Sequence, residues 1–437
     1  MRAMKDSGIE WIGEIPQEWS TIRLRSRFSF GKGLPITKAD LTESGIGVVS
    51  YGQIHSKANI GTTIKPELIR YVDCKYLNSN ASSLVNNGDF IFADTSEDIS
   101  GCGNCVYVDA NGPLFAGYHT MILRPVEELS TKYYSYLFAT DAWRSQIRAQ
   151  ASGVKLFSIT QKMLRDALLI EPSEEEKVQI VKYLDEKCEA IDALITAKEK
   201  TNALLKERRQ SIIYEAVTKG LNPDAPMKDS GVEWIGEIPE HWKVSRLKVI
   251  AEMQTGTTPK TSDSDFFDGD VNWFTPADFS GNMLINESER KLTQKAIEEG
   301  QVHLFPANTI MLVGIGATVG KTAFTQVAAS CNQQITAILI KEPDRAKYYA
   351  YWLSACSGTI KATANYTTLP IINNQHLGET FSPYANSVDE QTEITEYLDR
   401  TCAGIDRLIS ANEATIQKLK EYRQSIIYEA VTGKIEV

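Results

Sequence analysis

The sequence predicts an α+β chain: two mixed α/β bodies separated by two long antiparallel coiled-coil helices, arranged as an internal pseudo-two-fold repeat. Three observations carry that reading. The phrase MKDSGIEWIGEIPQEW at Met4–Trp19 returns as MKDSGVEWIGEIPEHW at Met227–Trp242, 223 positions on. The phrase ERRQSIIYEAVT at Glu207–Thr218 returns as EYRQSIIYEAVT at Glu421–Thr432, offset by 214. Apolar residues recur at heptad spacing through the segments that end in the second phrase. Tandem repetition of this kind fixes the domain count before any single element is considered.

Each repeat runs from a short box through a variable body to a helix. Extended to Arg25 and Lys248, the boxes agree at 15 of 22 positions, and the second interior is nine residues shorter than the first. The order places a box and first body at 1–173 and a first helix at 174–218. A linker at 219–226, a second box and body at 227–387, and a second helix with its tail at 388–437 complete the chain.

A hydrophobic fraction of 42% over 437 residues is enough for real cores. No run of about 18 apolar residues occurs, and the start lacks the basic-then-apolar layout of a secretory leader. The expectation is a cytoplasmic protein with no membrane partner. Seven dispersed cysteines, an odd number, point to reduced thiols and not to a disulfide framework. The formal net charge of -10 argues against a protein that holds DNA alone. Yet Ser20–Ser173 carries 16 Lys and Arg against 14 Asp and Glu, while Val388–Val431 carries 5 against 9. A near-neutral body can present a basic face while the acid lies in a segment with another job.

In the first helix Leu184, Ile191, Lys198, Leu205 and Ile212 stand seven apart, accompanied by Cys188, Ile195, Asn202, Arg209 and Ala216. The second repeats this as Leu398, Ile405, Asn412, Leu419 and Ile426 beside Cys402, Ile409, Ile416, Arg423 and Ala430. Alternating steps of four and three put both lines on one face, as a coiled-coil seam requires. Lys198 and Asn412 interrupt the same line, and polar residues there fix register at a cost in stability. Glu176–Val217 would span roughly 63 Å as a helix. The link KGLNPDAP, Lys219–Pro226, reaches at most about 28 Å, and its Gly220, Pro223 and Pro226 stop a helix. The economical way to bury the second seam is therefore to run back along the first, which gives a dumbbell.

The bodies read as short strands between turns. GVVSYGQI from Gly47, DFIFA from Asp89, NCVYVD from Asn104 and HTMILRP from His119 are apolar or alternating runs separated by Gly, Asn and Asp. Thr131–Gln150 patterns as one amphipathic helix, followed by ASGVKLFSIT. NTIMLVGIG, QQITAILI, AKYYAYWLSA and NYTTLPI follow in similar order in the second body. One scaffold carrying two different loop surfaces is the expectation.

Catalytic signals are thin. GIGATVGKT at Gly314–Thr322 has the wrong glycine spacing for a phosphate-cradling loop and reads as a turn between strands. CGNC at Cys102–Cys105 has metal-ligand spacing but no completing pair, so no metal is expected. The histidines, His55, His119, His241, His303 and His376, form no HxH or HExxH pair. No dinucleotide fingerprint, nucleophile elbow or NPPY-like methylation motif is present, so no catalytic residue is assigned.

The doubled box, GATVGKTAF, SCNQQITAI and the tails SIIYEAVTKG and SIIYEAVTGKIEV together resemble the specificity subunit of type I restriction-modification systems, often called HsdS. The resemblance covers essentially the whole chain; GCGNCVYVD and AGYHTMILRP in the first copy depart from the pattern of the second. It implies that the bodies are target recognition domains and that the chain is non-catalytic. It also implies partners: double-stranded DNA, two modification subunits, and restriction subunits through the assembled complex. S-adenosylmethionine, ATP and Mg would belong to those partners, none being bound by this chain. The helices would set the spacer of a split, asymmetric DNA site. The other classes are a self-contained methyltransferase or nuclease with tandem recognition domains, which would need a further domain, and a structural dumbbell with no DNA role.

Side-chain chemistry and loop placement nominate the DNA contacts. Gln53, His55, Ser56 and Lys57 follow a strand in the first body; Gln can pair with adenine, and Lys can reach guanine or phosphate. In the second, Thr257, Thr258 and Lys260 lie in TGTTPKT, and Asn272 precedes Trp273, which is assigned to the core. Lys321, Asn332, Gln333 and Gln334 complete the set.

Overall fold

The computed structural model describes residues 2–127, 130–153, 155–362, 364–366 and 369–437. Val154, in ASGVKLFSIT, and Thr367 and Thr368, in NYTTLPI, lie outside the described residues. The chain forms two compact units, one comprising residues up to Lys198 with Ala414–Val437, the other Glu199–Glu413. These are not the sequence repeats. Each unit holds one box and body, the start of the helix that follows, and the end of the other long helix.

The boxes repeat because each is a small hairpin with little freedom to vary. Met4–Asp6 pairs with Glu14–Pro16, and Met227–Asp229 pairs with Glu237–Pro239. Gly8 and Gly13 turn the first at φ 71° and 72°, as Gly231 and Gly236 turn the second at 72° each. Only glycine takes that left-handed conformation without steric cost. Ile9, Ile12, Ile15 and Trp19 are buried beneath one box, and Ile235, Ile238 and Trp242 beneath the other.

In the first unit the body uses β1 (Phe28–Lys32), β2 (Ile46–Val49), β3 (Phe90–Ala93), β4 (Cys105–Tyr107), β5 (Leu114–Ala116) and β6 (Thr120–Pro125). Four of these make an antiparallel sheet in the order β4-β3-β6-β1, while β2 and β5 run parallel. The second unit repeats the plan with β7 (Ala251–Thr255), β8 (Phe267–Phe274), β9 (Thr309–Val313), β10 (Thr322–Thr325), β11 (Ser330–Cys331) and β12 (Ile335–Ile340). Its sheet runs β7-β12-β9-β10, and β8 lies parallel to β11. A second strand follows GIGATVGKT, where a phosphate-binding loop would open a helix.

Two local expectations are corrected. Thr131–Gln150 is not one helix but two, Lys132–Ala139 and Asp141–Arg148. Thr140 is extended between them (φ -79°, ψ 139°), and its side chain accepts from the Trp143 N–H, which caps the second helix. The apolar run from Gly47 is a strand only to Val49; Ser50 and Gln53 then form a capping box on the helical turn Tyr51–Ile54.

The long helices span Glu174–Lys219 and Val388–Val431. Each ends before a left-handed glycine, Gly220 at φ 73° and Gly433 at φ 69°. Within each unit the two helical segments run antiparallel. In the first, Ile180 lies by Ile435, and Asp192 meets Arg423 at 3.0 Å. In the second, Gly220 lies by Glu390, Arg209 meets Asp406 at 3.1 Å, and Asn412 Nδ2 donates to Asn202 Oδ1 at 2.9 Å. Both arginine Nε–H groups are off-axis, so these are ion pairs without an aligned Nε hydrogen bond. Of the seam, Leu184, Cys188, Ile191, Ile195, Leu398, Cys402, Ile409, Ile416 and Ile426 are buried, while Leu205, Ile212, Ile405 and Leu419 are half-buried. Near the helix ends burial passes to Ile213, Val217, Ile427 and Val431, where the helix packs on a box and body and no longer on its partner alone.

Candidate nucleic-acid interface

In each unit the ends of the parallel pair and of the antiparallel sheet converge on one set of loops. In the first, Gly117 N–H donates to Val49 O at 2.8 Å, Leu34 N–H to Ala116 O at 2.7 Å, Gly33 N–H to Thr120 O at 3.0 Å and Asp94 N–H to His119 O at 3.1 Å. The second builds the same lattice: Asn332 to Phe274 at 3.0 Å, Thr257 to Cys331 at 2.9 Å, Gly256 to Ile335 at 3.0 Å and Gly314 to Gln334 at 2.8 Å. Ser50 and Gln53 in one unit stand where Thr275 and Asp278 stand in the other, each pair closing a capping box. Tyr118 and His119 occupy the places of Gln333 and Gln334. The backbone is therefore shared while the side chains differ, an arrangement suited to two different recognition surfaces.

The structure sorts the nominated residues. Lys57, Thr258, Lys260, Lys321 and Gln333 are exposed on these loops. Thr258 Oγ1 donates to Gln333 Oε1, which joins the two loops, and Lys321 Nζ donates to Phe279 O at 2.9 Å. Gln53 is half-buried, with its Oε1 accepting from the Ser50 N–H at 2.9 Å, so only its NH2 end is available to a base. Ser56 Oγ accepts from the Ala58 N–H at 3.3 Å. Thr257 is half-buried, and its hydroxyl is enclosed without a partner among the described residues.

Asn272 and Asn332 do not fit a contact surface. Asn272 is buried, its Nδ2 donating to Asn286 O at 2.9 Å and its Oδ1 accepting from Ser288 N–H at 3.1 Å. Asn332 is also buried, and its Oδ1 accepts from Gln334 N–H at 3.0 Å in a side-chain turn while its Nδ2 donates to Gln334 Oε1 at 3.2 Å. Asparagine in a tight turn closes on its own backbone before it reaches outward. Trp273 is buried, its Nε1 donating to Thr257 O at 3.1 Å, with the Arg290 guanidinium 4.9 Å from its ring.

His55 sits in a cleft of about 650 Å³ lined also by Tyr51, Lys57, Asp98, Arg144 and Arg148. Its Nε2 is 2.9 Å from Thr95 O and its Nδ1 3.1 Å from Asn104 Nδ2. The Ser100 hydroxyl and the Gly101 N–H hold the Asp98 carboxyl below the usual range, and burial pushes the Arg144 guanidinium down. Cys102 and Cys105 are packed beside this cleft, burial pushing the Cys105 thiol up to about 12. Among the described residues no group of three or more His, Cys, Asp or Glu is placed to hold a metal ion.

The sequence did not single out the cluster next to His55. Tyr51, Tyr118 and His119 form mutual edge contacts, the His119 ring centroid lying 5.6 Å from Tyr51 and 4.0 Å from Tyr118. His119 Nδ1 lies 2.9 Å from Asp94 Oδ1, which also accepts from the Thr95 hydroxyl at 2.7 Å. These residues come from three loops far apart in sequence, and the only local signal was the Gly-Tyr-His turn between two apolar runs.

The sequence family model for the type I restriction modification DNA specificity domain matches residues 16–206 and again 239–421. The chain belongs to that family. The specificity subunit of type I restriction enzyme MjaIX from Methanocaldococcus jannaschii is 32% identical over 168 residues, 38% of this chain and 38% of that relative's length. The MjaVIII specificity subunit of the same organism is 22% identical over 439 residues, covering 97% of this chain and 94% of the relative. The family fold extends to a solved chain from work on complex assembly and conformational transition of the type I R-M system. That chain superposes with a TM-score of 0.68 at 18% identity, over 96% of this chain and 99% of its own.

Proposed function

We propose that this chain is the non-catalytic DNA sequence-recognition subunit of a type I restriction-modification enzyme, each unit reading one half of a bipartite, asymmetric site. The observation that carries the proposal is the pair of loop faces: one hydrogen-bond lattice, occupied by Tyr118 and His119 in one unit and by Gln333 and Gln334 in the other. Within a family defined by DNA specificity, a shared scaffold with divergent loops is what two different half-sites require. The exposed Lys57, Lys260 and Lys321 would meet phosphate, and Gln53, Thr258, Gln333 and Gln334 would face base edges, whereas both ring nitrogens of His55 are engaged within the unit.

The partners in this reading are double-stranded DNA, modification subunits and restriction subunits. Two modification subunits would dock on the helices and bodies. Leu194 and Leu408, equivalent positions of the two helices, are 53% and 56% exposed and would give an apolar footing. S-adenosylmethionine, ATP and Mg would be held by those subunits. No helix among the described residues is long and apolar enough to cross a membrane, and the work proposed places the chain with cellular DNA in the cytoplasm.

The test is an exchange. Replacing residues 20–173 by the second body, in a host carrying the system, should convert an asymmetric methylated site into one with two related halves when methylated adenines are mapped genome-wide. An unchanged asymmetric site would mean that the bodies are not the readers.

A further inference from the structure

We propose that His119 is a specificity-determining residue of the first unit, accepting a hydrogen bond through Nε2 from an exocyclic amino group of a base, N6 of adenine or N4 of cytosine. The inference rests on the DNA-recognition reading above. Three independent features converge on it.

The first is position. His119 lies in the turn between β5 and β6, directly beside the carboxyl ends of the parallel strands β2 and β5, where loops of mixed folds meet their ligands. The second is the backbone. His119 has φ 53°, in the left-handed region. The other described non-glycine residues with positive φ are Asp268 and Asn308; all three are types enriched in that region, and a non-glycine residue there is held by its surroundings. Here Asp94 N–H donates to His119 O at 3.1 Å, and Tyr118 N–H donates to Ser50 Oγ at 3.1 Å, so both sides of the turn are fixed.

The third is the tautomer. An ionised carboxylate only accepts, so the 2.9 Å contact with Asp94 Oδ1 places the proton on Nδ1. In the neutral ring Nε2 then carries a lone pair, and among the described residues it has no hydrogen-bond partner. The side chain is 37% exposed, and its ring is steadied by Tyr51 and Tyr118. A fixed acceptor at a loop tip selects the bases that present an amino group in the major groove and rejects those presenting a carbonyl oxygen there. The equivalent place in the second unit holds Gln334, whose Oε1 is taken by Asn332 Nδ2 at 3.2 Å, so that unit offers a different pattern.

The test uses the chain assembled with its modification subunits, at fixed salt and pH 8, binding duplexes that carry the site mapped by methylome sequencing. Each adenine of the first half-site is replaced in turn by purine, which lacks the 6-amino group, and each cytosine by pyrimidin-2-one, which lacks the 4-amino group. One replacement should weaken wild-type binding by about tenfold, the worth of one hydrogen bond, and its identity names the base. His119→Ala should weaken binding to the natural duplex by a similar factor and lose nothing more on that modified duplex. His119→Gln, which keeps an acceptor, should recover part of the loss. Unchanged reading of the second half-site confirms that the variants fold. Losses that simply multiply, or a His119→Ala variant with unaltered first half-site preference, would overturn the assignment while leaving the recognition reading intact. An assembled wild-type complex that bound the mapped site no better than a scrambled duplex would overturn both.

Discussion

Tyr428 donates a hydrogen bond to the carbonyl of Ile12 at 3.0 Å, and Tyr214 shares its hydroxyl between the carbonyls of Trp234 at 2.9 Å and of Ile235, the counterpart of Ile12, at 3.3 Å. The two repeated phrases are thus halves of one joint, a helix end seated on a box. In the sequence each box precedes its own body, but in the structure it is met by the helix end of the other repeat. Tyr133 to Val431 O and Tyr348 to Val217 O, both 2.9 Å, tie the same helix ends to the bodies. Selection on a joint explains why these phrases match while the loops between them do not.

The joints differ in a second respect that can be measured. Lys434 Nζ also donates to Ile12 O, at 3.2 Å, whereas the equivalent position after Tyr214 is Gly220. Tyr214→Phe should therefore cost about 1–1.5 kcal/mol, the worth of one hydrogen bond, and Tyr428→Phe less, because Lys434, freed from the Tyr428 hydroxyl to which it also donates, still satisfies the carbonyl. The losses should add in the double variant, since no partner is shared. Urea unfolding of the full chain reads this; a larger loss for Tyr428→Phe would contradict the account.

Acid should weaken the first unit through Glu176. Burial pushes its carboxyl up, but bonds from Arg2, Trp19 and Ser173 outweigh that and hold it below the usual range. A carboxylate with a lowered folded pKa contributes stability that is fully present above its unfolded value, about 4.3, and is lost as pH falls through the folded value. Glu176→Gln should remove that contribution, so its stability should depend less steeply on pH below about 4.5. Parallel curves for variant and wild type in that range would show that Glu176 contributes nothing to acid sensitivity.

The repeat, the mixed bodies and the antiparallel seams were legible because period and composition are local properties of sequence. Asn202, buried opposite Asn412, shows the limit: the heptads marked Lys198 and Asn412 as the polar breaks and left Asn202 in the companion line, but only the fold shows that Asn202 and Asn412 answer one another. The loop surface was legible in outline only. Gln53 and Asn272 have side chains suited to bases, yet a capping box holds the oxygen of one and the core encloses the other. Asp94, Tyr51 and His119 carry no motif, since what joins them is the meeting of strand ends many residues apart.

The crossing of loops at Gly33 and Gly256 should be where each face is most easily broken. A β-carbon at Gly33 would lie 2.0 Å from Gly117 O, and one at Gly256 would lie 2.2 Å from Cys331 O. Neither glycine has a positive φ, so the constraint is close backbone approach and not torsion. Gly33→Ala must push the Gly117–His119 turn away, at roughly 1–3 kcal/mol of strain, and should relax the first half-site while the second is still read. Gly256→Ala should do the reverse. Binding assays on duplexes with one half-site scrambled distinguish the two; equal damage to both halves from either variant would show that the loops do not act by unit.

The helices offer the sharpest test of what sets the gap between half-sites. Asn412 Nδ2 donates to Asn202 Oδ1 at 2.9 Å, and these residues lie in the heptads Asn412–Lys418 and Lys198–Leu204. Deleting both heptads removes both partners together and keeps the four-and-three seam, bringing Leu205 into register after Ile195 and Leu419 after Ile409. Deleting either one alone leaves a polar amide opposite an apolar side chain and slips one seam against the other, so each single deletion should unfold at lower urea than the double. The double deletion shortens each helix by about 10 Å, close to three base pairs at about 3.4 Å each. If the helices set the gap, methylome mapping should return the original half-sites with a spacer changed by a few base pairs, or no modification where DNA bending cannot accommodate the new phase. Full activity with an unchanged gap would assign spacing to something other than helix length.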